Sequence, residues 1–361
     1  MNSENIDTYR PALSLSQRII QLDLIRVLAI AQVILVHIVS PWIYVVSTTD
    51  RPSWWLLNAV MSFAKPCVPL FVMVSGALLL NPTKTESLSA FFNKRFSKIA
   101  VPFITWSVFY LIWRAWLIRD IASLGQGIAL FLSGPVYYHL WFMYLIIGLY
   151  LVTPILKEYV QRASQETLTY FMVIWAVWVA LAFMGWFNIH VGIEIYVVAG
   201  YVGYFVGGFY FSRITISRRQ MWLLLLIAFL CWIITMLGSY ITSVTRSPID
   251  GYFYDYFSPP IVVMAICTFL LVRNLPDERI ARLPETTRNA IIYVAEASFK
   301  IYLIHAFILD ILNSHQLRIA LNDPTHISPL IGIPLDLVLT LVLCLVVIAV
   351  LRRIPIVRNV V

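Results

Sequence analysis

The chain has 361 residues, of which 60% are hydrophobic and only 12% charged, and its mean hydropathy is +0.83. A soluble globular domain is nearer a quarter charged, so that class is excluded, and apolar content this high also excludes a solvated, disordered coil. A small secreted disulfide scaffold fails on size and cysteine usage: Cys67, Cys231, Cys267 and Cys344 all lie in apolar runs, where a thiol behaves as a small hydrophobe. What remains is an all-α, polytopic transmembrane bundle. The net charge of +8 gives no reason to expect nucleic acid as a partner, because membrane proteins collect Lys and Arg in cytoplasmic loops.

Residues 1–19 are expected to form a short cytoplasmic segment. The acidic Glu4 and Asp7, and the Arg26 and His37 of the following stretch, do not suit a cleavable signal peptide. A span needs about 20 mostly apolar residues. Ten segments meet that demand, at about 20–46, 54–80, 99–118, 139–156, 167–186, 194–211, 221–243, 258–273, 290–311 and 330–351. They are taken as a single membrane domain over 20–351, followed by a cytoplasmic tail, 352–361. The second span is interrupted in hydrophobicity at Lys65-Pro66 and the ninth at Glu296 and Lys300. With the N-terminus inside, 18 of the 26 basic residues fall on the cytoplasmic side, which predicts that both termini are cytoplasmic and that the chain is a multi-pass protein of the cell inner membrane. Loops 132–141 and 244–258 on the opposite side are aromatic, as interfacial belts and carbohydrate sites both are.

An ionisable group inside a span costs roughly 2.5–3.5 kcal/mol on insertion scales, so each one requires a reason. The first span holds Asp23, Arg26 and His37. At about 100° and 1.5 Å per residue, Arg26 and His37 share one helix face about 16 Å apart, and Asp23 can reach Arg26 as an i,i+3 pair. Snorkelling of Arg26 and a hydrogen-bonded His37 in the bundle would account for each singly; together they favour a lined cavity with an imidazole able to take a proton near neutral pH. Lys94, Arg95 and Lys98 form a basic loop between the second and third spans, either as ordinary topology charge or as a mouth for a phosphorylated donor. Further polar groups within spans are Lys65, Arg114, Glu194, Glu296, Lys300, His305, Asp310 and Asp336, some of which should pair across helices. There is no GxSxG elbow, P-loop or HExxH, and the six histidines lack the i,i+4 spacing of a zinc site, so no metal is expected.

Four stretches in order resemble the acyltransferase-3 family of integral membrane acyltransferases. They are Asp23-Leu-Ile-Arg26 followed by ten residues and His37; Val68-Pro-Leu-Phe-Val-Met-Val-Ser75-Gly76; Tyr138-His139-Leu-Trp141-Phe-Met-Tyr144 running on to Tyr150 and Pro154; and Ile301-Tyr302-Leu-Ile-His305. The chain resembles the short branch without a fused extracytoplasmic esterase-like domain. Lys98 is a departure, since the family favours arginine there, and lysine keeps the charge but loses the bidentate fork.

The resemblance implies transfer of an acyl group, most often acetyl from acetyl-CoA, to a hydroxyl of an envelope glycan or its lipid-linked precursor, with no permanently bound cofactor. It makes His37 and Arg26 the essential pair, with Asp23 beside them. Lys94, Arg95, Lys98 and Ser75 fall on the acyl-CoA side, and Tyr138, His139, Trp141 and His305 on the acceptor side. Membrane lipid is the remaining expected partner. The same buried Arg26 and His37 would also fit a glycan or small-molecule transporter using them as a substrate or proton pathway.

Overall fold

The computed structural model describes residues 18–44, 51–81, 86–117, 119–121, 123–185, 200–245, 251–313 and 327–354. Among them there are helices and no strands. Nine helical stretches are long and apolar enough to cross a membrane: Ile20–Ile43, Pro52–Leu79, Leu88–Trp116, Trp141–Arg162, Gln165–Gly185, Arg218–Thr245, Gly251–Arg273, Glu285–Leu312 and Pro329–Leu351. Of the sixth expected span, 194–211, the first six residues, Glu194 among them, lie outside the described residues; from Tyr201 the chain is a helix, Tyr201–Ser212.

In chain order the helices are α1 (Ile20–Ile43), α2 (Arg51–Ala64), α3 (Cys67–Leu79), α4 (Leu88–Arg95), α5 (Val101–Leu117), α6 (Leu124–Ser133) and α7 (Trp141–Arg162). They continue with α8 (Gln165–Gly185), α9 (Tyr201–Ser212), α10 (Arg218–Thr245), α11 (Pro259–Arg273), α12 (Asp277–Ala281), α13 (Glu285–Leu312) and α14 (Pro329–Leu351). The outward faces identify the solvent. Leu223, Leu226, Leu230, Ile234, Leu237 and Ile241 of α10 are all exposed at three- or four-residue steps, and so are Ile104, Val108, Ile112 and Trp116 of α5 at four-residue steps. An apolar stripe turned outward at helical spacing is stable only against lipid.

Two breaks follow from proline. Pro66 has no N–H to donate and its ring crowds the carbonyl four residues back, so α2 stops at Ala64 and α3 begins at Cys67. Pro102 likewise cannot close the ladder behind it. The preceding turn, Phe96–Ala100, widens to a π-helix in which the Val101 N–H reaches back to the Phe96 carbonyl. Lys94, Arg95 and Lys98 are therefore carried on helix rather than in the expected loop. A rigid helical mount results because nothing between Leu88 and Val101 breaks the ladder. Glu296, expected to be buried, has a side chain 55% exposed and accepts a 2.5 Å hydrogen bond from Arg18. The short helices α6 and α12 lie outside the ten expected spans.

The buried centre is α1, which packs against α2, α3, α11, α13 and α14. Polar groups tie the outer helices to it. Asn58 of α2 donates to the Met236 carbonyl (2.9 Å) and accepts from the Tyr254 hydroxyl (2.7 Å). Asp336 accepts from Asn313 (3.1 Å) and Thr340 (3.2 Å). Arg114 donates to both oxygens of Asp120, at 2.7 Å for the shortest contact, and to the Val136 carbonyl at 2.9 Å. Its guanidinium holds the Asp120 carboxyl below the usual carboxylate range.

Helices α3 and α9 meet backbone to backbone. A Cβ on Gly76 would stand 1.7 Å from the Phe205 carbonyl oxygen, and one on Gly208 would stand 1.9 Å from that of Met73. Only glycine permits this approach, the usual device for joining helices in lipid. Gly76→Ala or Gly208→Ala should therefore cost at least about 3 kcal/mol, the top of the ordinary overpacking range, because backbone cannot rotate away. Gly148→Ala on α7 meets nothing within 4 Å and should be neutral or gain about 0.5–1 kcal/mol of helix propensity. Unfolding of the purified variants in detergent checks the contrast.

Candidate active site

The histidine of α1 is met by two others from distant parts of the chain. The His37 ring lies 5.1 Å from that of His305 on α13 and 4.9 Å from Tyr138, while His139 lies 5.2 Å from His305. His139 and Tyr138 belong to the turn between α6 and α7, which is clamped from two sides. The Tyr137 hydroxyl donates to Asp310 at 2.5 Å, and its ring stacks on Tyr110 at 4.6 Å. Tyr110 in turn donates to the Leu303 carbonyl at 2.8 Å. Trp113 adds a 2.8 Å hydrogen bond to the same Asp310 carboxylate, so the two aspartate donors come from α5 and the turn.

Exposure separates the three imidazoles. His139 and His305 are 1% and 0% exposed, whereas His37 keeps surface open to a cavity. His305 donates from Nδ1 to the Tyr302 carbonyl at 2.7 Å, one turn back on its own helix. That bond fixes its tautomer and leaves Nε2 without a proton in the neutral ring; Nε2 is buried and has no hydrogen-bond partner among the described residues. The Tyr302 hydroxyl, for its part, donates to the His139 carbonyl. Among the described residues no ion pair involves His37.

Two cavities meet at this cluster. The smaller, about 30 Å³, is lined by His37, His139 and Tyr302 with Val33, Val36, Val68, Trp141 and Tyr256. Trp141 and Tyr256 stand 5.6 Å apart, and the Lys65 ammonium sits 4.7 Å over the Tyr256 ring, at the α2–α3 break. The larger, about 910 Å³, is bordered by Arg26, Ser75, Lys98, Tyr150, Glu296 and Lys300. Phe71, Phe142 and Tyr302 line both. The Phe71 and Phe142 rings are 6.2 Å apart, and those of Phe142 and Tyr302 5.5 Å apart.

Arg26 and His37 thus share one helix but face different cavities. Asp23 is buried and held by Arg18 at 2.5 Å and Arg26 at 3.6 Å, so it steadies Arg26 rather than lining either space. Ser75 lines the large cavity, with its hydroxyl donating to the Phe71 carbonyl at 2.9 Å. Of the basic trio, Lys98 borders that cavity. Arg95 pairs with Glu86 at 2.8 Å and lies 4.0 Å over the Phe91 ring, and Lys94 is exposed. Trp141 lines the small cavity and Tyr138 is 47% exposed beside His37. Sequence reasoning did not single out Phe71, Phe142 or Tyr302, although each lies inside a motif it used. Their apolar or phenolic side chains gave no reason to separate them from core. His190, His315 and His326 lie outside the described residues, within which no group of three or more His, Cys, Asp and Glu is placed to hold a metal ion.

The family model for an acyltransferase domain, that of acyltransferase-3, matches residues 19–350. No curated protein and no solved structure matches the chain. The match spans every element that builds the two cavities.

Tyr302→Phe tests how the cluster is held. It leaves the buried His139 carbonyl with only the long 3.4 Å bond from the Phe142 N–H, at a cost of about 0.5–1.5 kcal/mol. Unfolding in detergent should show that loss, and unchanged stability would mean that the hydroxyl does not secure the turn.

Proposed function

The chain belongs to the acyltransferase-3 family, and from that premise we propose that it is a membrane O-acetyltransferase. It moves acetyl from acetyl-CoA to a hydroxyl of an envelope polysaccharide or its lipid-linked precursor. The observation that carries this reading is the pairing of a large cation-bordered cavity with a solvent-reachable imidazole beyond its inner wall. Coenzyme A bears several phosphate charges, and Lys98, Lys300 and Arg26 offer the charge-assisted hydrogen bonds that such a group takes. Arg95 and Lys94 add to the positive field around that mouth, and the excess of basic residues on one side of the spans supports a cytoplasmic position for it. Ser75 offers a hydroxyl to the pantetheine arm.

In the reaction the acceptor hydroxyl oxygen attacks the thioester carbonyl, the new C–O bond forms, and the C–S bond breaks. His37 takes the hydroxyl proton and returns it to the departing thiolate. General-base assistance of this kind contributes typically 10²–10⁴-fold. His37 suits the task because, among the described residues, it pairs with no carboxylate that would hold it protonated, and His305 and Tyr138 pack against its ring. His305 is a positioning residue in this reading: it is fully buried, lines neither cavity and packs on the His37 ring, while His139 packs on His305 and lines the small cavity. Trp141, Tyr138 and Tyr256 present aromatic faces with polar tips to a sugar. The run Pro135-Val-Tyr-Tyr-His139-Leu-Trp141 resembles the O-acetyltransferase of enterobacterial common antigen.

His37→Ala should reduce acetyl transfer by at least about 10²-fold while the purified protein melts as the parent does; transfer at the parental rate would remove His37 from the chemistry. Lys98→Ala should raise the KM for acetyl-CoA with kcat little changed, as loss of a ground-state contact does. An unchanged KM would return Lys98 to topology charge.

A further inference from the structure

We infer that Phe71 and Phe142, closing against Tyr302, determine which acyl groups reach His37, and that they admit acetyl while refusing chains of four or more carbons. This rests on the acyl-transfer reading above and adds to it a basis for donor choice. The three rings are the lining shared by both cavities, and their centroid separations of 6.2 and 5.5 Å put them in contact. They form an aromatic collar, Phe71 on Phe142 and Phe142 on Tyr302, between a space of about 910 Å³ and one of about 30 Å³.

One ring of the collar is fixed and two are not. Tyr302 is anchored by its hydroxyl on the His139 carbonyl and, through its own carbonyl, by the His305 ring. Phe71 and Phe142 have no polar tether, and rotation about χ1 or χ2 is all that an opening requires. The thioester sulfur would then lie at the collar, with the arm behind it in the large cavity and the acyl group ahead of it beside His37.

The far side sets the limit. One water-sized group occupies about 10–15 Å³ by the same measure, so a space of about 30 Å³ holds two or so such groups. That suits the carbonyl oxygen and methyl of acetyl. Beyond stand Val33, Val36 and Val68, which are 5%, 6% and 6% exposed and packed into the helical core. Two further methylenes would crowd these valines, and removing a collar ring would relieve that crowding.

The test uses the purified full-length chain in lipid nanodiscs, an extract of bacterial envelope polysaccharide as acceptor, and release of free thiol from acetyl-, propionyl-, butyryl- and hexanoyl-CoA. The parent should cleave butyryl-CoA at least about 20-fold more slowly than acetyl-CoA, within the range of roughly 10–200-fold that one methylene can impose. Phe142→Ala and Phe71→Ala should each raise the butyryl-to-acetyl ratio about tenfold or more. Phe142→Leu and Phe71→Leu, which keep most of the apolar volume, should raise it less and carry the test if the alanine variants do not fold. A parent that uses butyryl-CoA as readily as acetyl-CoA, or a ratio unmoved by all folded variants, would overturn the collar as selector and leave acyl transfer standing. No thiol release from any donor by the folded parent would overturn the acyl-transfer reading itself, and this inference with it.

Discussion

The hydrogen bond from the Tyr302 hydroxyl to the His139 carbonyl joins residues 163 positions apart, and the rest of the site is arranged around it. On one side it fastens α13 to the turn before α7; on the other it fixes the single immobile ring of the collar. His305 lies one turn further along α13 and His139 carries the accepting carbonyl, so the two imidazoles behind His37 are set by the same contact. In a medium without water to compete, the Tyr302 hydroxyl needs this acceptor and the His139 carbonyl has otherwise only the 3.4 Å bond from the Phe142 N–H, which makes the contact a strong organiser.

Charge is graded along the first helix in a way that fits the cost of burying it. Asp23, Arg18, Arg26 and Glu296 form a linked group at one end of α1, beside Lys98 and Lys300. Deeper in, the groups around His37 are two imidazoles and the phenols of Tyr138 and Tyr302, with one cation, the Lys65 ammonium, over the Tyr256 ring that lines the same cavity. The linked group thus stays where lipid headgroups and a charged donor can balance it, and the proton-transfer group sits in a largely apolar surrounding that strengthens the dipoles aimed at the reaction.

Much of this was legible in the sequence because membranes impose simple rules. Hydropathy alone located nine of the ten expected spans as described helices, and helical geometry correctly placed Asp23 within reach of Arg26. The proline at 66 announced a real interruption. The resemblance of Ser75-Gly76 to a family motif acquires a physical reason in the backbone contact between α3 and α9, which sequence spacing could not supply because Gly208 is so far away in the chain. Convergence of His37, His139 and His305 was invisible for the same reason: no local period links positions brought together by three separate elements. The collar was missed on different grounds. In a chain this apolar, Phe71 and Phe142 carry no compositional signal, and only their placement between two cavities marks them out. The helical mount of Lys94, Arg95 and Lys98 was misread as a loop because a run of charge outside a hydropathy peak says nothing about the backbone that carries it.

The central claim is that one route runs from the cation-bordered cavity through the collar to His37. The structure of the chain bound to a non-hydrolysable thioether analogue of acetyl-CoA tests it most directly. The account predicts the nucleotide phosphates against Lys98 and Lys300, the arm passing between Phe71 and Phe142 with both rings turned aside, and the acyl carbonyl beside His37, with space for a hydroxyl oxygen about 3–3.5 Å from its carbon. An arm that stays in the large cavity, its acyl end against Arg26 or Ser75 and the collar closed, would contradict it.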